Sequence, residues 1–285
     1  MRRVVLLTSI VIMAAGVAWG GIAKIKAPEL KTEKLFGDSF STEDYLEEEE
    51  GIIGFYRGIS IEWPTSMEGI DVTNLQNAVG KFTFGDKFTE GASIDNLISR
   101  RIEVKESLPV PYEINNAFYN SKDFSWLYDG EIWNFHFDLQ LVQVIDKVDG
   151  AYVSYSNSYS GWSGGVSHIF YYYMMYDLVN DEPLEYSDIF VKGHDNEIIK
   201  MIVAQLMKDN KAKTYEQLKE DLCFMIETEM PPLPKNIVYD KGNFIFSYNP
   251  YEIACGASEC ITAVIPAKKL QKFMTSRAKT LFKVK

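Results

Sequence analysis

Residues 150–190 read GAYVSYSNSYSGWSGGVSHIFYYYMMYDLVNDEPLEYSDIF. Two tyrosine-rich halves, Ala151 to Ser158 and His168 to Leu178, have the composition of strands, and Gly161-Trp162-Ser163-Gly164-Gly165 between them reads as a loop. Just upstream, Asp149-Gly150 is a two-residue hairpin signal. Before it, Phe135, Phe137, Leu139 and Leu141 alternate with polar residues, as in a half-buried strand. The phase slips at Val142 and Val144, which predicts a bulge near Leu141. Strands joined by tight turns predict an antiparallel sheet. The last of them is apolar or aromatic at nearly every position, so it is expected to be central, with both faces covered.

Helices are predicted on both sides of this block. Phe55 to Trp63 reads as a strand stopped by Pro64. Asp71 is placed to cap a helix carrying Val72, Leu75, Val79 and Phe82 on one face, and Ser93 to cap another with Ile94, Leu97 and Ile98 inward. Downstream, Ile198, Ile199, Ile202 and Leu206 share a helical face, and Thr214 to Gln217 has the spacing of a capping box. Ile237 to Tyr239 and Phe244 to Tyr248 form a hairpin around Lys241-Gly242, and Ile261 to Ile265 is a last strand. Pro266 suits the first turn of a final helix carrying Leu270, Phe273 and Met274. Strands and helices are grouped rather than alternating, so the class is α+β: antiparallel sheets with helices packed on them, in two intimately associated subdomains, residues 51–180 and 181–285.

The chain has 285 residues, 46% of them hydrophobic, enough to bury a substantial core. Its formal net charge is −11, which repels nucleic acid and anionic lipid and favours a basic or neutral partner. Arg2-Arg3 precede the apolar run VVLLTSIVIMAAGVAWGGIA, and Ala18-Trp19-Gly20 offers small residues at a cleavage site. Residues 1–20 therefore read as a signal peptide, with a second acceptable cut after Ala23. The alternative is an uncleaved anchor, the sole expected membrane attachment. Either way the bulk of the chain is expected to be exported, periplasmic or extracellular. No cysteine lies near the cut, so a lipoprotein is not expected. Residues 21–50, ending in Glu47-Glu48-Glu49-Glu50, read as an acidic linker.

The motifs that carry chemistry are few. Gly161 to Gly165 formally satisfies G-x-S-x-G, but a nucleophile elbow needs a strand-to-helix turn followed by an acid and a histidine. Here two strand-like segments flank it, and Asp188 and His194 are the nearest downstream partners, so a small-residue turn explains the pattern. No catalytic residue, metal ligand set or cofactor is assigned. Trp162 at a glycine-rich tip is placed either to stack on a sugar ring or to fold back over the sheet. Tyr159, Trp162, Ser163 and His168 are the candidate ligand-binding residues. Cys255 and Cys260 have a spacing that can close a small disulfide loop, and Cys223, in a helical pattern, reads as a buried apolar residue.

These blocks, in order, resemble a known family. ISIEWP followed by DVTNLQNAV is similar to the opening of the PdaC-like domain, and the tyrosine-rich strands with SGGVSH and YYYMMYDLVNDEPLEYSDIF resemble its middle. NFIFSYNPYEIACGASECITAVIP resembles the closing block of the adjoining domain of RsiV-type anti-sigma factors, with Tyr251 after its proline. The likeness spans about residues 51–275 and implies the family's fold. RsiV-type proteins sense lysozyme outside the cell and hold a sigma factor inside, and PdaC carries a deacetylase domain. This chain is expected to carry neither the anti-sigma nor the deacetylase module. The expected function is a non-catalytic envelope protein binding a cell-wall glycan such as peptidoglycan, or a cationic protein such as lysozyme. The alternatives are an enzyme acting on envelope polysaccharide and a structural component of an envelope complex.

Overall fold

The computed structural model describes residues 29–45, 51–103, 132–148, 151–163, 167–226, 228–255 and 260–284. Six strands form one sheet in chain order: β1 (Lys31–Tyr45), β2 (Gly51–Ser66), β3 (Ile132–Val148), β4 (Tyr152–Ser163), β5 (Ser167–Asp177) and β6 (Glu182–Pro183). All neighbours are antiparallel except β2 and β3, which run parallel. A parallel pair needs a crossover, and the chain between these two supplies α1 (Thr73–Phe84) and α2 (Ile94–Ile102). The class is α+β, with a mixed rather than wholly antiparallel main sheet.

The local signals explain the helices. Asp71 Oδ1 accepts from the Thr73 amide at 3.0 Å and its hydroxyl at 2.7 Å, so it holds the entry to α1. Ser93 caps α2 by accepting from the Asn96 amide. β2 runs past Pro64, which lies beyond the last β2–β3 pair, Ile61 with Val142. There Pro64 faces only β1, where a missing amide costs no ladder bond on the other side.

β1 lies inside the stretch read as a linker, so that reading is corrected for Lys31–Tyr45. Its first side chains, Lys31 to Lys34, are exposed; buried Leu30 and half-buried Leu35 tie it to the core. A charged edge strand discourages further pairing, and that composition is also what a tether has. Residues 1–28, Glu47 to Glu50 and the Asp149-Gly150 turn lie outside the described residues. Among the described residues no helix is long and apolar enough to cross a membrane.

Strand alternation sends successive residues of β4 to opposite faces. Val153 and Tyr155 enter a core with Ile59, Ile61, Leu75 and Val79 under α1 and α2. Tyr152 enters a second core beneath the C-terminal unit. The bulge on β3 falls between Val144 and Asp146, further along than the Leu141 position expected. β4, not β5, is interior along its length. β5 pairs with β6 only at Tyr176 and Asp177, although both its faces are covered there, by Tyr176 on one side and Met175 on the other.

The C-terminal unit comprises α3 (Tyr186–Ile189), α4 (Asp195–Asp209), α5 (Tyr215–Asp221), a three-stranded antiparallel sheet of β7 (Asn236–Asp240), β8 (Asn243–Tyr248) and β9 (Ile261–Pro266), then α6 (Ala267–Leu270) and α7 (Ser276–Leu281). Lys241 and Gly242 both have positive φ, 44° and 90°, as a tight hairpin turn requires. Thr214 accepts from the Gln217 amide, while the Gln217 side chain accepts from Lys213 rather than closing the box on Thr214. Ile198, Ile202, Phe244, Phe246, Leu270 and Phe190 fill the second core. Ser154 Oγ donates to Tyr239 O at 3.1 Å, and Lys241 N donates to Asp146 at 3.0 Å. Polar bonds thus register the two units where apolar packing alone is non-directional.

Candidate functional site

On the α1/α2 face, the far end of β4 carries polar residues instead of apolar ones. Gln140 of β3 and Asn157 of β4 are 0% and 2% exposed, too buried to be left without partners. They bond to the end of α1, whose last carbonyls have no partner within the helix. Gln140 Nε2 donates to Thr83 O at 2.9 Å and Asn157 Nδ2 to Phe82 O at 3.0 Å. Gln140 also donates to Asn157 Oδ1 at 3.1 Å and accepts from Arg101 Nε at 3.2 Å. Arg101 Nη2 reaches Asp138 at 2.6 Å. Tyr159 adds a longer bond, 3.4 Å, to Thr83 O. Sheet side chains therefore cap the helix, and they form the floor of an open cleft.

The cleft has a volume of about 1100 Å³. Phe82, Phe84, Tyr159, Phe170 and Tyr172 supply its aromatic surface. Tyr159 and Tyr172 meet edge to face with centroids 6.0 Å apart, and Tyr172 is 42% exposed. Burial raises the Tyr159 phenol above its ordinary pKa, so it stays neutral, a donor and acceptor, in neutral solution. Lys81, Lys87, Arg100 and Arg101 line the same cleft. Arg101 is committed to Asp138 and Gln140. Lys81, Lys87 and Arg100 are exposed and make no ion pair among the described residues.

Of the candidates expected from sequence, the structure brings Tyr159 into this cleft. Trp162 and Ser163 continue β4, and Trp162 pairs in register with Phe137 on one side and Ser167 on the other. The expected loop is therefore shorter than Gly161–Gly165, and the backbone after Ser163 leads into another strand. That geometry lacks the strand-to-helix turn of a nucleophile elbow. His168 lies within β5, opposite Gly161. The side chains of Trp162, Ser163 and His168 lie outside the described residues. Asp188 and His194 have structural partners: Asp188 accepts from Glu185 N at 2.8 Å and pairs with Arg277, and His194 packs on Phe273.

The remaining tyrosines divide by face. Tyr155 is wholly buried, and Tyr171 and Tyr173 stack on the opposite side from Tyr159, 6.5 Å apart. Cys255 and Cys260 are not joined: both are thiols, and Cys260 Sγ lies 3.2 Å from Ile169 O and 3.4 Å from Asn249 Oδ1. Cys223 is exposed, not buried, because α5 ends at Asp221 and turns outward. Sequence reasoning missed Gln140, Asn157, Lys81, Lys87, Arg100 and Arg101. Gln140 and Asn157 interrupt the apolar pattern on the inward face of their strands, which was the available signal.

Residues 187–268 match the model of a family described as a protein of unknown function, DUF3298. A member of that family from Bacteroides fragilis has a similar structure, with a TM-score of 0.59 at 18% identity, covering 90% of this chain and 99% of that one. A second DUF3298 family structure, from Pseudomonas aeruginosa PAO1, has a TM-score of 0.52 at 15% identity, covering 88% and 96%. No curated protein matches the chain. At these identities the likeness is one of fold.

Proposed function

We propose that this chain is an exported, non-catalytic binding protein of the bacterial envelope, and that the cleft beside Tyr159 takes an acidic cell-wall glycan. One observation carries the reading: Lys81, Lys87, Arg100 and Arg101 converge on one aromatic-lined cleft of a chain whose net charge is −11. In so acidic a chain, such a concentration of cations focuses the local field on an anion. Aromatic faces suit the apolar faces of sugar rings, and exposed phenols supply hydrogen bonds. Carboxylates on the glycan or its attached peptides would meet the guanidinium and ammonium groups. The N-terminal apolar segment and the resemblance to PdaC-like and RsiV-type extracytoplasmic domains support export.

A second reading rests on the overall charge. A surface of net −11 attracts a cationic protein such as lysozyme at long range. Such a partner would dock away from the cationic cleft.

Sedimentation with insoluble peptidoglycan, and retention on immobilised lysozyme, test both readings at low and high salt. Wild type is expected to sediment with peptidoglycan in a salt-sensitive way. The double variant Lys87→Glu, Arg100→Glu is expected to bind at least tenfold more weakly, each reversal contributing on the order of 1 kcal/mol at a solvated site. Equal sedimentation of variant and wild type would remove the cleft from the account. Retention on lysozyme alone, unchanged in the double variant, would transfer the function to the acidic surface.

A further inference from the structure

The geometry points to a disulfide between Cys223 and Cys255 as a redox modification site of this protein. The observation is local and independent of the cleft. After α5 the chain turns at Cys223, whose φ is 51°, in the left-handed region that a helix terminus usually gives to glycine. The Phe224 amide bonds back to Lys219 O at 2.8 Å and the Cys223 amide to Glu220 O at 3.1 Å, closing the helix end. This turn delivers the next residues into a short antiparallel bridge, Phe224 with Ala254. Met225 N donates to Ile253 O at 2.8 Å, and Cys255 N donates to Cys223 O at 3.1 Å. Those two bonds make Cys223 and Cys255 direct cross-strand neighbours.

Cross-strand neighbours in such a ladder have Cα atoms about 5.5 Å apart, inside the span a disulfide bridges. The two thiols already hydrogen-bond to each other, and that contact raises the Cys223 thiol above its ordinary pKa. Cys260 is directed elsewhere, at Ile169 O and Asn249 Oδ1. A residue with a side chain at a left-handed helix terminus carries a backbone cost that glycine avoids. Here that conformation aims Cys223 at its partner.

The reaction is thiol–disulfide exchange with an external disulfide, of a small molecule or an oxidant protein. The Cys223 thiolate attacks one sulfur of that disulfide, and the other leaves as a thiolate that takes up a proton. The Cys255 thiolate then attacks the Cys223 sulfur of the mixed disulfide and expels the second thiol. The protein loses two electrons and two protons, and the oxidant disulfide becomes two thiols. Because the Cys223 thiol is raised, exchange is faster in mildly alkaline solution. The new bond ties the end of α5 to the segment before β9. Exported proteins retain such bonds and reducing compartments remove them, but the pairing follows from the bridge alone.

The test uses the full chain, reduced and then incubated with oxidised glutathione. Titratable thiols are expected to fall from three to one, and peptide mapping to join the peptides containing Cys223 and Cys255. Cys260→Ser is expected to form the same link, and Cys223→Ser and Cys255→Ser to form none. Closing this loop is expected to raise Tm by roughly 5–10 °C. Circular dichroism of each variant before oxidation checks that it is folded. A link mapped to Cys255 and Cys260, a glutathione adduct on Cys223 that never closes, or three thiols remaining in folded wild type would overturn the assignment.

Discussion

Asn249 acts as a strand partner for Tyr171: its Oδ1 accepts the Tyr171 amide at 2.8 Å and its Nδ2 donates to the Tyr171 carbonyl at 2.9 Å. Asn249 is 4% exposed and follows β8 in the C-terminal unit, whereas Tyr171 lies on the β5 edge that β6 leaves uncovered. One side-chain amide therefore closes a sheet edge and joins the two units. An uncovered edge is otherwise a template for pairing with another chain.

Asn249→Ala removes both bonds at once. Loss of two hydrogen bonds from a partly buried edge is expected to cost about 2 kcal/mol. Asn249→Asp keeps the acceptor, loses the donor and sets a carboxylate against the Tyr171 carbonyl, so it is expected to be no better than alanine. Urea midpoints of the two variants check this. Midpoints equal to wild type would mean that packing alone fixes the junction.

Arg277 performs a charged version of the same joining. From α7 it reaches Asp177 at 2.6 Å, Glu182 at 2.8 Å and Asp188 at 3.2 Å. Burial by itself raises the Asp177 carboxyl, but bonds from Asn180, Arg277 and the Val179 amide outweigh it and hold the group below its ordinary value of 3.8. A carboxyl depressed in the folded state contributes stability above its unfolded pKa and loses it as pH falls through the folded value. Arg277→Ala leaves Asp177, only 1% exposed, without its cation. The expected loss is about 3 kcal/mol near pH 7, shrinking as pH falls below the ordinary carboxyl value of 3.8. Chemical denaturation of wild type and variant at several pH values measures both. A gap that stays constant into acid would mean that the ion pair is not its source.

Gly80 runs against the usual helix rule. Glycine inside a helix is normally improved by alanine, by roughly 1 kcal/mol. Here a Cβ would lie 2.2 Å from the Phe88 ring, which packs against this turn of α1. Gly80→Ala is therefore expected to destabilise, by about 1–3 kcal/mol. The double variant Gly80→Ala, Phe88→Ala is expected to show positive coupling, because the clash vanishes with the ring. Thermal melts of the four proteins in the cycle decide it; stabilisation by the single change would show that the ring moves aside at no cost.

The elements that were legible in sequence are those whose periodicity or caps are local. Ser93, Thr214 and the Lys241-Gly242 turn announce structure within four residues, and Ile198 to Leu206 mark a helical face unaided. β1 was illegible because an edge strand need not be apolar, and its partner β2 supplies the pairing. The parallel β2–β3 pair was illegible because pairing direction is set by the crossover, not by either strand's pattern. Within the site, Tyr159 was found from a tyrosine-rich run. Gln140 and Asn157 were not, since their role depends on where α1 ends in space.

Tyr159 offers the sharpest division between a scaffold role and a binding role. Its hydroxyl bond to Thr83 O is long, 3.4 Å, and Gln140 already serves that carbonyl at 2.9 Å. Tyr159→Phe is therefore expected to change stability by no more than about 0.5 kcal/mol. The ring itself meets Tyr172 edge to face on the same face of the sheet, and stacking on a sugar needs the ring rather than the hydroxyl. Phenylalanine is expected to keep most of the glycan affinity, and Tyr159→Ala to lose it about tenfold while remaining folded. Sedimentation with peptidoglycan, read beside a thermal melt, separates the two. If alanine lowers Tm steeply and binding per folded molecule is unchanged, Tyr159 belongs to the scaffold and the cationic rim alone must hold the ligand.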